Sequence, residues 1–256
     1  MTSLTKTPHA VVPGRRQGKS RRAPRNHSTI FCVSIACVSI AGSLDFEFVE
    51  PDIEHVTPQQ VWDTLLDGNR RYAADKAEHP NTDIARRDSL RTGQAPRVAI
   101  FSCGDSRVPA EFVFDLGFGD AFIIRNAGHI VDDSILASVQ FAIDDLGCSL
   151  LVVMGHQHCG AIKATAQFLD EDAVIPSGFQ RAIVEKVSLA VSAAKAEGKD
   201  TLADFERRNT IETVRQLMAR IPHLEDKVAD GSLGIAGLRY LLDTGHVEPV
   251  VLCGVS

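Results

Sequence analysis

The sequence predicts an α/β fold: a mostly parallel central β-sheet flanked by helices, with an N-terminal helical arm. Three observations carry this. The runs 98–101, 121–124 and 150–154 are short and unbroken in their apolarity, as strands buried on both faces are. Stretches with apolar residues at helical spacing lie between and after them. Such alternation of strand and helix builds a parallel sheet covered on both sides.

The folded part is expected to begin at Thr57, a good N-cap, with Pro58 at the first helical position. Val61, Leu65 and Tyr72, with Trp62, Leu66 and Asn69 beside them, then repeat at helical spacing over 58–76. This helix precedes the first core strand, so its apolar stripe is expected to pack on another surface, such as a partner subunit. A helix over 134–146, with Ile135, Val139, Ala142, Ile143 and Leu146 on one face, separates the second strand from the third. Helices over 178–198 and 201–219 follow, then a glycine-containing strand over 233–242 and a last strand at 250–252. The charges on 195–230 read as solvated helix faces. Cys148 and Cys253 lie among apolar residues and read as core.

Residues 1–50 form a different segment from the domain expected over 51–256. Seven of the 27 Lys and Arg residues fall in 1–44, which hold no acid. The remainder therefore carries 20 bases against 33 acids, a net of −13. A body that acidic excludes nucleic acid as a partner, because phosphate neutralisation needs a basic face. The basic stretch Arg15 to Arg25 runs into an apolar run at 30–41, shorter than the roughly 20 residues a membrane span needs. No stable membrane insertion is expected. The layout fits either a disordered leader or a targeting segment, with export if residues 1–42 act as a signal. Six cysteines scattered through 256 residues point instead to a reducing, cytoplasmic setting in which thiols stay free.

Two segments carry the chemistry, and both follow a predicted strand. Ser102-Cys103-Gly104-Asp105-Ser106-Arg107 follows the first, and Gly155-His156-Gln157-His158-Cys159-Gly160 follows the third. In open α/β sheets, ligand sites gather outside the carboxyl ends of strands, so the two loops can converge. Cys103, Cys159 and one of His156 or His158 make a donor set suited to Zn²⁺. Three protein ligands leave a fourth position open, as in catalytic rather than structural zinc sites. Asp105 lies two residues from a thiolate and needs a cation. Arg107 supplies one, and a planar bidentate pair would hold the carboxylate ionised and oriented. Zinc makes hydroxide available near neutral pH, so the expected chemistry is attack of zinc-bound hydroxide on a small electrophile. His129, after the Arg125–Gly128 loop, is expected to make a structural hydrogen bond rather than relay protons.

Cys103-x-Asp105-Ser106-Arg107, Arg125-Asn126-Ala127-Gly128 and Gly155-His156-x-x-Cys159-Gly160 together resemble the β-class carbonic anhydrases, from about Thr57 to the C-terminus. The resemblance implies a zinc-dependent lyase that reversibly hydrates CO₂ to bicarbonate and a proton, with one Zn²⁺ per subunit in a homodimer or homotetramer. It selects His156 over His158 as the ligand beside Cys103 and Cys159. It assigns Asp105 and Arg107 as the catalytic dyad, with Asp105 able to become a fourth ligand in a closed state. It implies substrate contacts from Gln94 across a dimer interface, from Phe122, Ala127 and Phe141 in an apolar pocket, and from the Gly160 backbone. It also implies that the helix at 58–76 wraps a partner. Some relatives bind regulatory bicarbonate through a Trp, an Arg and a Tyr. Here the corresponding residues are Ile100, Arg125 and Phe141, so that control is expected to be absent. The alternatives are a zinc hydrolase of a related molecule such as carbon disulfide, or a zinc-stabilised protein without activity.

Overall fold

A computed structural model of the chain describes residues 56–170, 177–178 and 180–256; the leader expected over 1–50 lies outside them. Helix α1 (Pro58–Ala73) starts as the sequence predicts. The Thr57 hydroxyl accepts the N–H of Gln60 and the Gln60 side chain accepts the N–H of Thr57, a reciprocal capping box. The helix ends three residues earlier than its apolar spacing suggests, and Asp75 adopts a positive φ of 56° just beyond it.

The sheet is built from β1 (Val98–Cys103), β2 (Ala121–Asn126), β3 (Leu150–His156), β4 (Gly234–Tyr240) and β5 (Val247–Cys253), in the order β2-β1-β3-β4-β5. Neighbours pair in parallel except β5, which runs antiparallel to β4. The strands β1, β2 and β3 each extend two residues past their apolar runs. Backbone pairing continues there through polar residues, with Cys103 opposite Asn126 and His156 opposite Tyr240. Edge strand β5 tolerates Pro249, beside a register shift between Gly237 and Leu238.

Strand alternation divides the core into two layers. Ala99, Phe101, Leu151, Val153 and Ile235 face one side, where they meet α4 (Asp133–Asp144) and α7 (Leu202–Arg220) through Ile135, Val139, Val214 and Leu217. Val98, Ile100, Leu150, Val152, Met154 and Leu238 face the other, where they meet Val61, Trp62 and Leu65 of α1 and Val113 of α3 (Ala110–Val113). Complete burial of a side chain such as these contributes about 1.5–3 kcal/mol. The stripe on α1 thus packs on another surface, as expected, and Val61, Trp62 and Leu65 find that surface in the chain's own sheet rather than in a partner.

The remaining helices are α2 (Ile84–Ser89), α5 (Gly160–Asp170), α6 (Gln180–Ala196) and α8 (His223–Ala229). α5, α6 and α7 enclose a third apolar cluster, in which Ile162, Val187, Val191 and Phe205 pack around Cys103 and Cys159. β2 and β3 lie on opposite sides of β1, so the topology reverses at the carboxyl end of β1 and opens a crevice there. Among the described residues, no helix is long and apolar enough to cross a membrane.

Candidate metal centre

The crevice holds the two predicted loops. Cys103 is the last residue of β1, His156 the last of β3, and Cys159 directly precedes α5. The ligand-capable atoms of all three lie within 4.8 Å of one another, and all three residues are buried. The His156 ring shows how it would be used. Its Nδ1 sits 2.9 Å from the Gln157 carbonyl, a contact that puts the proton on Nδ1 and the lone pair on Nε2. Nε2 is buried and has no hydrogen-bond partner among the described residues. A buried orphan nitrogen facing two sulfurs fits a soft or borderline cation, and two thiolates with one imidazole are a zinc-type set. His158 is exposed, sits at a positive φ of 57° and gives its carbonyl to Arg107 at 3.3 Å; it is not part of the cluster.

The environment favours thiolate at Cys103. Hydrogen bonding from the Cys159 side chain, with His156 and the N–H groups of Gly128 and Asp105, outweighs burial and holds the Cys103 thiol well below its usual range. Sharing that proton with Cys103, together with burial, pushes Cys159 up, against the N–H groups of Ile162 and Ala161 at the start of α5. Burial disfavours a charged His156 ring, but the Cys103 sulfur beside it turns the net shift upward.

Asp105 and Arg107 form the expected pair. Arg107 Nε reaches Oδ1 at 2.9 Å, Nη2 reaches Oδ2 at 2.7 Å, and the Arg107 backbone N–H adds a third bond at 3.0 Å. The Arg107 side chain therefore holds the Asp105 carboxyl far below the usual carboxylate range despite partial burial. Asp105 Oδ2 lies 3.9 Å from His156 Nε2, which places the carboxylate at the rim of the ligand cluster. Arg125 on β2 fixes this loop by donating to the carbonyls of Cys103 at 3.0 Å and Asp105 at 2.7 Å.

The substrate residues implied by the resemblance are more dispersed. Gly160 is the exposed first residue of α5, with nothing within 4 Å of where a Cβ would stand. Ala127 opens the 3-10 turn Ala127–His129, whose Gly128 N–H lies 3.4 Å from Cys103 Sγ. The rings of Phe122 and Phe141 form a tilted pair with centroids 6.0 Å apart, and Phe141 is 44% exposed. Gln94 instead lines a surface cleft of about 450 Å³ with Arg87, Leu90, Gly93, Phe118 and Gly119, a lining that includes none of the three ligand residues.

His129 is fully buried, with Nε2 2.9 Å from Asn209 Nδ2 and its carbonyl accepting from Thr213, and burial lowers it to about 4. It is an interior structural group, as the sequence suggests. Two residues next to the site escaped the sequence reading. Glu206 reads from the sequence as one charge of a solvated face, yet it is 1% exposed, and it pairs with the buried Arg239. The signals were a mixed polar and apolar stripe on α7 (Glu206, Asn209, Thr210, Thr213, Val214, Leu217) at helical spacing, and an arginine inside an otherwise apolar strand. A search for apolar periodicity alone passes over both.

A family model described as "Carbonic anhydrase" matches residues 98–247. The chain is 44% identical over 191 residues to a carbonic anhydrase of Mycolicibacterium smegmatis, covering 75% of this chain and 92% of that one. It is 40% identical over 192 residues to carbonic anhydrase 2 of Mycobacterium tuberculosis, with the same coverages. Among solved structures, a Coccomyxa β-carbonic anhydrase in complex with acetazolamide superposes with a TM-score of 0.56 at 26% identity, over 73% of this chain and 84% of that one.

Proposed function

The chain belongs to the β-carbonic anhydrase family, enzymes of CO₂ hydration, and from that premise we propose that its metal is zinc, held by Cys103, His156 and Cys159, with Asp105 and Arg107 orienting the attacking water. The observation that carries the proposal is the buried, unpartnered Nε2 of His156 beside two sulfurs. When bound, zinc supplies Lewis acidity that makes hydroxide available near neutral pH.

The protein's own groups do the rest. Arg107 donates to both oxygens of Asp105, so the carboxylate stays ionised and can only accept hydrogen bonds. Asp105 thus accepts from a water in the crevice and turns that water's remaining lone pairs towards the substrate carbon. Attack on CO₂ gives bicarbonate, and the proton lost from water passes to buffer. The N–H of Gly160, at the start of α5, is suited to the oxygen that becomes negative. Phe122, Ala127 and Phe141 provide apolar surface suited to a gas. Gln94 joins the site from a second copy of the chain, and the exposed Phe112 and Phe118 support a homodimer or a dimer-based tetramer. Thiol ligands that must stay reduced support a cytoplasmic location.

The test is metal content by mass spectrometry and stopped-flow CO₂ hydration, before and after chelator treatment, with light scattering for assembly. One zinc per chain, and activity lost with the metal and restored by zinc, are expected. Protein purified without a divalent metal and inert towards CO₂ would end the proposal.

A further inference from the structure

We propose that Glu206, on α7, is a positioning residue for the metal centre: it holds the backbone of Cys159 so that the sulfur faces Cys103 and His156. The inference rests on the zinc reading above. Cys159 occupies the N-cap position of α5, where the backbone N–H needs an acceptor. In a capping box that acceptor comes from a Glu or Gln side chain at the third helical position, but here that residue is Ile162. Glu206 takes the role from another helix, its Oε1 lying 3.2 Å from Cys159 N.

The other oxygen of Glu206 is engaged as well. Oε2 accepts from Arg239 Nε at 2.8 Å, and Arg239 Nη1 continues to Glu248 at 3.2 Å. Glu248 is held by Arg207 through two bonds, at 2.8 and 3.2 Å. A chain of alternating charge thus runs from the ligand loop to the surface. A buried ion pair rarely adds stability over an apolar pair of the same volume. What the carboxylate offers that an apolar residue cannot is two acceptors, and both of its neighbours are donors. α7 is seated closely enough for this because Gly155 on β3 faces Thr210; a Cβ at Gly155 would stand 2.4 Å from Thr210 Oγ1.

Two double variants separate positioning from stability. Glu206→Leu/Arg239→Met removes the ion pair and leaves Cys159 N–H without an acceptor. Glu206→Gln/Arg239→Met removes the same pair but keeps one acceptor, with no arginine competing for it. Both replace buried charge by groups of similar size, so both should fold, which circular dichroism and thermal melting check. Zinc affinity is read by competition with a chromophoric chelator, and cobalt–thiolate absorption is read on the Co(II)-loaded proteins. The Leu variant should bind zinc roughly 10–100-fold more weakly, the usual cost of losing a partner behind a metal ligand. Its cobalt–thiolate band should also be altered, while the Gln variant stays within the parent's order of magnitude. Parental zinc affinity and an unchanged cobalt spectrum in the Leu variant would overturn the inference, as would equal losses in both variants. A parent protein that takes up no zinc would instead overturn the metal reading on which this rests.

Discussion

Arg107 grips Asp105 through both carboxylate oxygens and through its own backbone N–H, all within a stretch of three residues. The local turn therefore sets the direction of the carboxylate before any partner or substrate arrives. Asp105→Asn keeps the shape but puts an N–H₂ where an acceptor is needed. Zinc content should be unchanged, and CO₂ hydration should fall by about 10²–10³-fold, the range for losing one preorganised hydrogen-bonding group at a reacting centre. Parallel metal analysis and stopped-flow assays check this, and an unchanged rate removes Asp105 from the mechanism.

Bicarbonate should act only as product. Arg125, the one residue of the regulatory trio that is present, is committed to the carbonyls of Cys103 and Asp105, and Ile100 is buried inside β1. Raising bicarbonate at fixed pH and ionic strength should give smooth product inhibition in the CO₂ hydration assay. A steep cooperative loss of activity would contradict this.

Asp115 governs part of the acid stability. Burial disfavours its charge, but the N–H of Glu78, the Arg71 guanidinium and the N–H of His79 outweigh burial and lower its pKa. A carboxyl whose folded pKa is depressed stabilises the fold fully above its unfolded value, about 4, and that contribution drains away as pH falls through the folded value. In Asp115→Asn, urea unfolding at pH 7 should show about 2 kcal/mol less stability. Its stability should then depend less on pH below about 4 than the parent's does.

Gly155 is a position where bulk is excluded. Gly155→Ala would drive a methyl group into Thr210 Oγ1 and against the His129 ring. Overpacking of this kind costs about 1–3 kcal/mol. Thermal unfolding should show the loss, and adding Thr210→Ala should recover part of it. Full stability in the single variant would mean that α7 moves away from β3 without cost.

The sheet was legible because buried parallel strands leave unbroken apolar runs, and the ligands were legible because they stand where those runs stop. The ends of β1, β2 and β3 were not, since Cys103, Asn126 and His156 continue the backbone ladder while breaking the apolar pattern. The short helices α2 and α3 have too few turns to show a period. Glu206 and Arg239 were hidden for a different reason. Each reads as a surface charge alone, and only their pairing across 33 residues makes burial tolerable. The destination of the α1 stripe was equally invisible, because periodicity reveals that a face is covered but not by what.

All three sulfur and imidazole donors precede residue 160, whereas Glu206 and Arg239, which brace the last of them, come from α7 and β4. A ribosome therefore releases the complete donor set well before it has made the scaffold that aims it. During that interval β3 lacks its neighbour β4. The alignment of the donor set is accordingly completed only when α7 and β4 have folded against β3.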